Sequence, residues 1–510
     1  MILEELLFDE NVAVFGNKGV EVLGVSYDSR TIKKNFAFIA IHGHNTDGVK
    51  YIDEAIEKGA SVIITDSKCS VDNITTHVVV EDVFRFMSIF SAKFYNYPDR
   101  ELTIVGVTGT NGKTTITYMA ESIFSNFDVD CGVVGTINCR YKGKVIELTN
   151  TTPQSLDIYR IMRHMVDDGV KYLLMEVSSH ALELGRVYGI EFDIAVFTNL
   201  TREHLDFHKN IESYFEAKSI LFKGLGVGKK KNKKYAIINA DDKFGKKLLK
   251  MSIGAEVKTY STLEKKSVDF KAENIELTSN GSEFDLFFGS ILKRISINHI
   301  GIYNIYNALA AIAVAIYSGV IFAKVAEGLN ESKQIPGRLE RVDAKELGFK
   351  VFVDYAHTVN ALTNVMQALK MVATKRIITV FGCGGDRDRT KRPLMGMKSV
   401  VMSDFVFLTS DNPRTENPNQ IVLDIEVGIK KTNKNNYKVI LDREIAVKEA
   451  ITMAEKGDIV LIAGKGHEKY QVVGSKKVSF SDVKIAKKYL VSREKRKTIS
   501  KKNCQKEFIF

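Results

Sequence analysis

Short apolar runs that end in polar or glycine-rich turns recur along the chain, separated by stretches with apolar residues at helical spacing. Before Pro98 the pattern predicts strands over 37–41, 61–65 and 77–80 and a helix over 51–58. From Leu102 the run Leu-Thr-Ile-Val-Gly-Val enters a glycine turn and then a helical segment, and further buried-type strands are predicted over 172–177, 194–198 and 235–239. Beyond Pro336-Gly337 a third alternation places strands over 351–354, 376–381, 404–409 and 458–463. Strand and helix in alternation predict an α/β fold with mainly parallel sheets, divided into residues 1–98, 99–335 and 336–492, with a flexible basic tail over 493–510. The strands of the last division end in polar or glycine-rich loops, where open α/β sheets bind ligands.

A chain of 510 residues allows about three domains, and its 45% apolar content excludes a disordered chain. Cys69, Cys131, Cys139, Cys383 and Cys504 form no C-x-x-C pair, so neither a disulfide framework nor a zinc knuckle is indicated and a reducing cytoplasm is expected. The opening MILEELLFDENVAVFG is acidic where a signal peptide is basic, and no apolar run approaches the ~18 residues of a membrane span. The net charge of +11 is concentrated in two places: five lysines among residues 229–234, and a stretch from Arg493 to Glu507 with seven bases and two acids. A nucleic-acid face needs basic residues spread over a folded surface, so these read as a solvated loop and a frayed tail, and no nucleic-acid partner is expected. Turnover is expected to survive removal of everything after Lys487.

Between the predicted strand and helix lies Gly109-Thr110-Asn111-Gly112-Lys113-Thr114, followed by Thr115. This is the setting of a phosphate-binding loop: glycines turn backbone N–H groups toward phosphate, Lys113 reaches the terminal phosphates, and Thr114 can ligate magnesium. Val107 stands where the general pattern has its first glycine. Glu176 closes the next strand as a Walker-B-like acid, and the loop 201–208 offers His204, Asp206 and His208. Lys218 shares a helical face with Ile211, Tyr214, Phe215, Leu221 and Phe222; it either snorkels to solvent or is desolvated and partly neutral. The last division supplies 382–389, Lys391-Arg392-Pro393, Asp411-Asn412-Pro413-Arg414 and 464–468, loops suited to a small zwitterion or anion. Cys383 reads as a small filler of a glycine turn rather than a nucleophile.

The ordered series Asp28-Ser-Arg30, Thr108–Thr114, Asn150-Thr-Thr-Pro-Gln154, Glu176-Val-Ser-Ser-His180, His204–His208, Ala217-Lys218, Pro336–Glu340, Asp354-Tyr-Ala-His357 and the last loops resembles the Mur ligases, above all those that add meso-diaminopimelate. The resemblance implies three domains: a small N-terminal α/β domain for the uridine nucleotide, a central phosphate-loop ATPase-like domain, and a C-terminal Rossmann-like domain. It also implies an ATP-dependent amide synthesis of peptidoglycan assembly, in which the D-glutamate carboxylate of UDP-N-acetylmuramoyl-L-alanyl-D-glutamate is phosphorylated and then attacked by diaminopimelate. Carried over by motif, Ser29 touches the uridine nucleotide, and Asn150, Thr151, Thr152, Ser178 and Arg186 hold the muramoyl dipeptide. Gly109 to Thr115 with Asn304, Arg338 and Asp354 embrace ATP; Thr114, Glu176, His204 and a carbamylated Lys218 ligate magnesium; Lys113, Lys218 and His204 are the catalytic set. Arg387, Asp411, Asn412, Pro413, Arg414, Gly464 and Glu468 form the amino-acid pocket, where the Arg414 guanidinium favours an acceptor with a distal carboxylate over lysine and is equally compatible with lanthionine. More distant relatives of the same build are the folylpolyglutamate synthetases. A cytoplasmic monomer without membrane insertion is expected. Asn35 stands where the family commonly has glycine, and asparagine tolerates the left-handed backbone required there.

Overall fold

The computed structural model describes all residues except 8, 9, 11, 44–46, 68–74, 264–266, 343–346 and 508–510, together with the side chains of 205, 206 and 496–507. Cys69 and the side chains of Cys504 and Asp206 therefore lie outside the described residues. Among the described residues, three α/β units each carry a sheet. The first has five strands in the order Ala13–Phe15, Thr76–Val79, Ala60–Thr65, Phe36–Ile39 and Gly24–Ser26, parallel except for the first pair. Asn35 takes φ 62° in the turn before Phe36, as the sequence requires.

The second sheet has eleven strands around Thr103–Thr108, which lies parallel between Tyr172–Glu176 and Ile194–Phe197. Alternate residues of that strand face opposite cores: Ile104 packs with Tyr159, Met162 and Phe215, whereas Val105 and Val107 pack with Ile116 and the alanine-rich helix Ile302–Tyr317. With both faces covered, the central strands are continuous apolar runs. The antiparallel strands Phe270–Thr278, Gly281–Phe288 and Ile291–Ile297 at one edge escaped the sequence reading, because only one of their faces is buried and their apolar positions are diluted by charge. The third sheet runs Glu340–Val342, Lys350–Asp354, Ile459–Ala463, Ile377–Phe381, Phe405–Leu408 and Tyr437–Val439, parallel after its first pair.

Two expectations are corrected. Residues 493–507 continue the helix Asp482–Glu507, a stretch of good helix formers without glycine or proline. Its earlier part is packed: Leu490 is buried, and Arg493 lies over the Phe349 ring and donates to Ile451 O. The lysine run is likewise not simply a solvated loop. Lys230 and Lys234 both pair with buried Asp193, and Lys230 also donates to the carbonyls of Asp99 and Leu102. Lys229, Lys231 and Lys233 remain exposed.

Candidate functional site

The strand Thr103–Thr108 delivers the glycine loop to the start of the helix Lys113–Asn126. Gly109 has φ 144° and Gly112 φ 93°; a Cβ on the first would collide with Thr198 Oγ1, and on the second with Asn307 Oδ1. The next strand fixes the loop from behind: Thr198 Oγ1 donates to Asn111 O at 2.7 Å, and Asn199 Oδ1 accepts from Asn111 N at 3.0 Å. Lys113 Nζ folds back to donate to Gly109 O and Thr110 O at 2.8 and 2.9 Å, and burial holds its ammonium below the ordinary lysine range.

Buried Glu176 faces this loop. It accepts from Thr114 Oγ1 at 3.0 Å and from the amide and hydroxyl of Thr136, both at 2.9 Å. From the third unit, Arg338 Nη2 donates to Thr114 Oγ1 at 3.2 Å while its guanidinium lies over Tyr355. Asp354 is buried and accepts from the amides of Leu339 and Ala356; burial raises its carboxyl, partly offset by the charge of Arg338. Asn304 is braced by Ile300 O and Asn307.

These groups line one cavity of about 610 Å3. It takes in Thr110 to Thr115, Glu176, His204, Asn304, Arg338 and Asp354, together with Asn150, Thr151, Ser178 and Arg186. The residues expected around nucleotide and around muramoyl dipeptide therefore share one space. Thr152 is fully buried just behind it, bonded to Glu176 O and Ser178, and Arg186 Nη1 donates to Thr152 O at 3.1 Å. Ser29 lies apart on the first sheet's turn, its hydroxyl donating to Glu54 at 2.7 Å.

Lys218 does not snorkel. It is 1% exposed, and its Nζ lies 4.6 Å from the centre of the Tyr214 ring and donates to Gly109 O at 3.0 Å. Burial, with the charge of Lys113 beside it, drives its ammonium well below the ordinary range. His204 takes φ 55° and sits edge-on to His180; burial lowers it to about 4, so the imidazole is neutral at neutral pH. His208 turns away, bonded to Ser179 at 2.8 Å and stacked on Tyr214. No three His, Cys, Asp or Glu side chains cluster as a metal site among the described residues. A divalent cation would draw on the Thr114 hydroxyl, the Glu176 carboxylate and the neutral His204 imidazole, a donor set that suits magnesium only when further oxygens are supplied.

The loops expected to receive the amino acid gather at the carboxyl ends of Ile377–Phe381, Phe405–Leu408 and Ile459–Ala463. Arg414, at φ 51°, donates Nη1 to Gly385 O at 2.6 Å; burial and nearby Arg387 lower its pKa. Arg387 is exposed. Gly464 donates to Asp354 O, linking these loops to the cavity, and a Cβ there would crowd Asp411. The carbonyl of Pro413 packs where a Cβ on Gly385 would stand, and Asn412 Nδ2 donates to Glu468 at 3.0 Å.

Three wholly buried cations behind these loops were not singled out from the sequence. Lys465 bonds Asn412 and Glu468; Arg392 bonds Glu416, Asp424 and Gly384 O; Arg443 pairs with Asp482 and donates to Ala463 O. Lys465 lies inside a quoted motif, so its position was visible. Arg392 also stands in one of the loops named from the sequence, where it was expected to face a ligand; it is instead committed to Glu416 and Asp424, and only Arg443 carried no local signal. Cys383 is buried with its thiol pushed up to about 12, an inert filler as expected.

A glycine loop on a strand-to-helix turn, an acid at the end of the neighbouring strand and an arginine delivered from a second sheet define a multi-domain α/β nucleotide-binding protein. The chain belongs to the Mur ligase family. It matches that family's models over residues 21–100 (Mur ligase family, catalytic domain), 107–315 (Mur ligase middle domain) and 337–466 (Mur ligase, glutamate ligase domain). It is 44% identical over 479 residues to UDP-N-acetylmuramoyl-L-alanyl-D-glutamate–2,6-diaminopimelate ligase 1 of Clostridium acetobutylicum, covering 94% of this chain and 96% of the relative. A solved structure of a UDP-N-acetylmuramoyl-L-alanyl-D-glutamate–2,6-diaminopimelate ligase superposes with TM-score 0.69 at 31% identity, covering 97% and 99% of the two chains. A folylpolyglutamate synthase of Mycobacterium tuberculosis complexed with ADP and AMPPCP shares the fold alone, at TM-score 0.61 and 15% identity over 80% of this chain and 95% of that one.

Proposed function

We propose that this chain is an ATP-dependent ligase that joins meso-2,6-diaminopimelate to the D-glutamate carboxylate of UDP-N-acetylmuramoyl-L-alanyl-D-glutamate. The observation that carries the reading is the shared cavity in which Lys113, Thr114 and Glu176 meet Asn150, Thr151, Ser178 and Arg186, so a phosphate donor and a carboxylate substrate can lie side by side. A carboxylate is a poor electrophile. Its oxygen attacks the γ-phosphorus and ADP departs; the acceptor amine then attacks the acyl phosphate and inorganic phosphate departs. Lys113 and Arg338 supply fixed positive charge to the transferring group. Magnesium, held by Thr114, Glu176 and His204, would spread the remaining developing charge. A carbamate on Lys218 would replace a buried cation by an anion, which the neighbouring charge of Lys113 would favour.

On this reading the divisions 1–98, 99–335 and 336–492 serve the uridine nucleotide, ATP and the amino acid respectively, and Ser29 marks the first of these sites. Arg387, Asp411, Asn412, Arg414, Gly464 and Glu468 receive the acceptor. A guanidinium attracts the distal carboxylate of diaminopimelate and repels the lone ammonium of lysine, and lanthionine would fit the same fork. The enzyme then works as a cytoplasmic monomer in cell-wall synthesis, and so in cell shape and division. Phosphate release from ATP that requires both the UDP-muramoyl dipeptide and diaminopimelate is the expected result; release that is indifferent to the acceptor refutes the assignment. Arg414→Ala should raise the diaminopimelate KM by about tenfold or more with little change in the ATP KM.

A further inference from the structure

We infer that Lys465 is a positioning residue that holds the acceptor pocket's own anion and cation apart, so that both stay available to the zwitterionic end of the incoming amino acid. The inference rests on the proposed acceptor site and concerns how that site remains charged when empty. Lys465 follows the strand Ile459–Ala463, and its side chain is fully buried. Its ammonium donates to Asn412 Oδ1 at 2.9 Å and to Glu468 Oε2 at 2.6 Å. Asn412 Nδ2 donates to that same Oε2 at 3.0 Å, and Val472 N fixes Asn412 Oδ1 at 2.9 Å. The three side chains form a closed triangle tied to the backbone.

The triangle leaves Glu468 asymmetric. Oε2 receives two donors, whereas no described donor reaches Oε1. Arg414 spends Nη1 on Gly385 O and makes no ion pair among the described residues. Arg414 and Glu468 are close enough to influence each other's charge, yet they are not joined. A bidentate carboxylate–guanidinium pair uses both carboxylate oxygens and would cancel the two charges an acceptor needs. Lys465 removes that option by committing Glu468 Oε2 to a buried partner. An acceptor bearing an ammonium and a carboxylate at one end then meets a separated anion and cation, each with open bonding capacity.

The test is steady-state kinetics of full-length Lys465→Met, Glu468→Gln and the double variant, with diaminopimelate, ATP and the UDP-muramoyl dipeptide varied in turn. Lys465→Met should raise the diaminopimelate KM about tenfold or more, while the ATP KM stays within about twofold. Because Lys465 acts through Glu468, the double variant should be no worse than Glu468→Gln alone. A diaminopimelate KM within about twofold of the parent for Lys465→Met, or losses that multiply in the double variant, overturns the inference. Should Lys465→Met not fold, Lys465→Gln replaces it; failure of both while Glu468→Gln folds also overturns the inference, since the lysine would then hold up the domain itself. A parent protein that fails to release phosphate with diaminopimelate refutes the proposed function instead, and so the two failures are distinct.

Discussion

Lys218 leaves water with a carbonyl oxygen, Gly109 O, as its hydrogen-bond acceptor and the Tyr214 ring beside it. An ammonium there is costly, whereas a neutral amine can add carbon dioxide and release a proton to become a carbamate. Lys218→Ala should lower turnover by about a hundredfold or more and be partly restored by a small added carboxylate; full activity without additive removes the carbamate. The anomaly was legible, because helical spacing alone put this cation among aromatic and aliphatic neighbours. A second buried base gives a pH signature. His299 is bonded to Ser332, and burial lowers it from 6.5 to about 4. Its folded-state value lies below the unfolded one, so its contribution to stability is complete above pH 6.5, declines as pH falls through that value and is gone near pH 4. His299→Gln should remove a stability slope of at most about 1.4 kcal/mol per pH unit in that window, measured by denaturant titration at several pH values.

The helix Asp482–Glu507 shows how an element can be misread from its charge. Its basic end suggested a frayed tail, but the buried Ile485, Ala486 and Leu490 tie its first half to the domain, and Asp482 pairs with Arg443 behind the Gly464 loop. Removing everything after Lys487 should therefore destabilise the protein by about 2–5 kcal/mol, the range for loss of a buried leucine. Truncation after Glu494 should leave the unfolding midpoint unchanged. Calorimetry of the two truncations separates these outcomes. The buried parallel strands were legible for a physical reason: both faces are covered, so each is an unbroken apolar run. The edge strands from Phe270 to Ile297 have one wet face, and their alternation is lost among charges.

At the scale of the molecule, the cavity is shared between units, with Thr114 from one and Arg338 from the next joined across it. Many of the residues that build it were legible as motifs, at strand ends such as Glu176 and Asp354 or at the start of a helix such as Lys113 and Thr114. Their convergence was not, since it depends on how two sheets face each other. Nucleotide binding should consequently stabilise both units together, by about 2.7 kcal/mol at a hundredfold excess over Kd. Arg338→Ala should show a smaller thermal shift at the same nucleotide concentration, and an equal shift would dissociate the third unit from nucleotide binding.

The Asp193 cluster bears on how the surface presents itself to reagents. Within one six-residue stretch, Lys229 and Lys231 face water, Lys233 is exposed but paired with Glu256, and Lys230 and Lys234 are locked against the buried Asp193 carboxylate. A brief pulse of an acylating ester should mark Lys229 and Lys231 at once and reach Lys230 and Lys234 only when the segment opens. The lag between the two groups would clock that opening in the intact protein, with neighbouring amines serving as the internal standard.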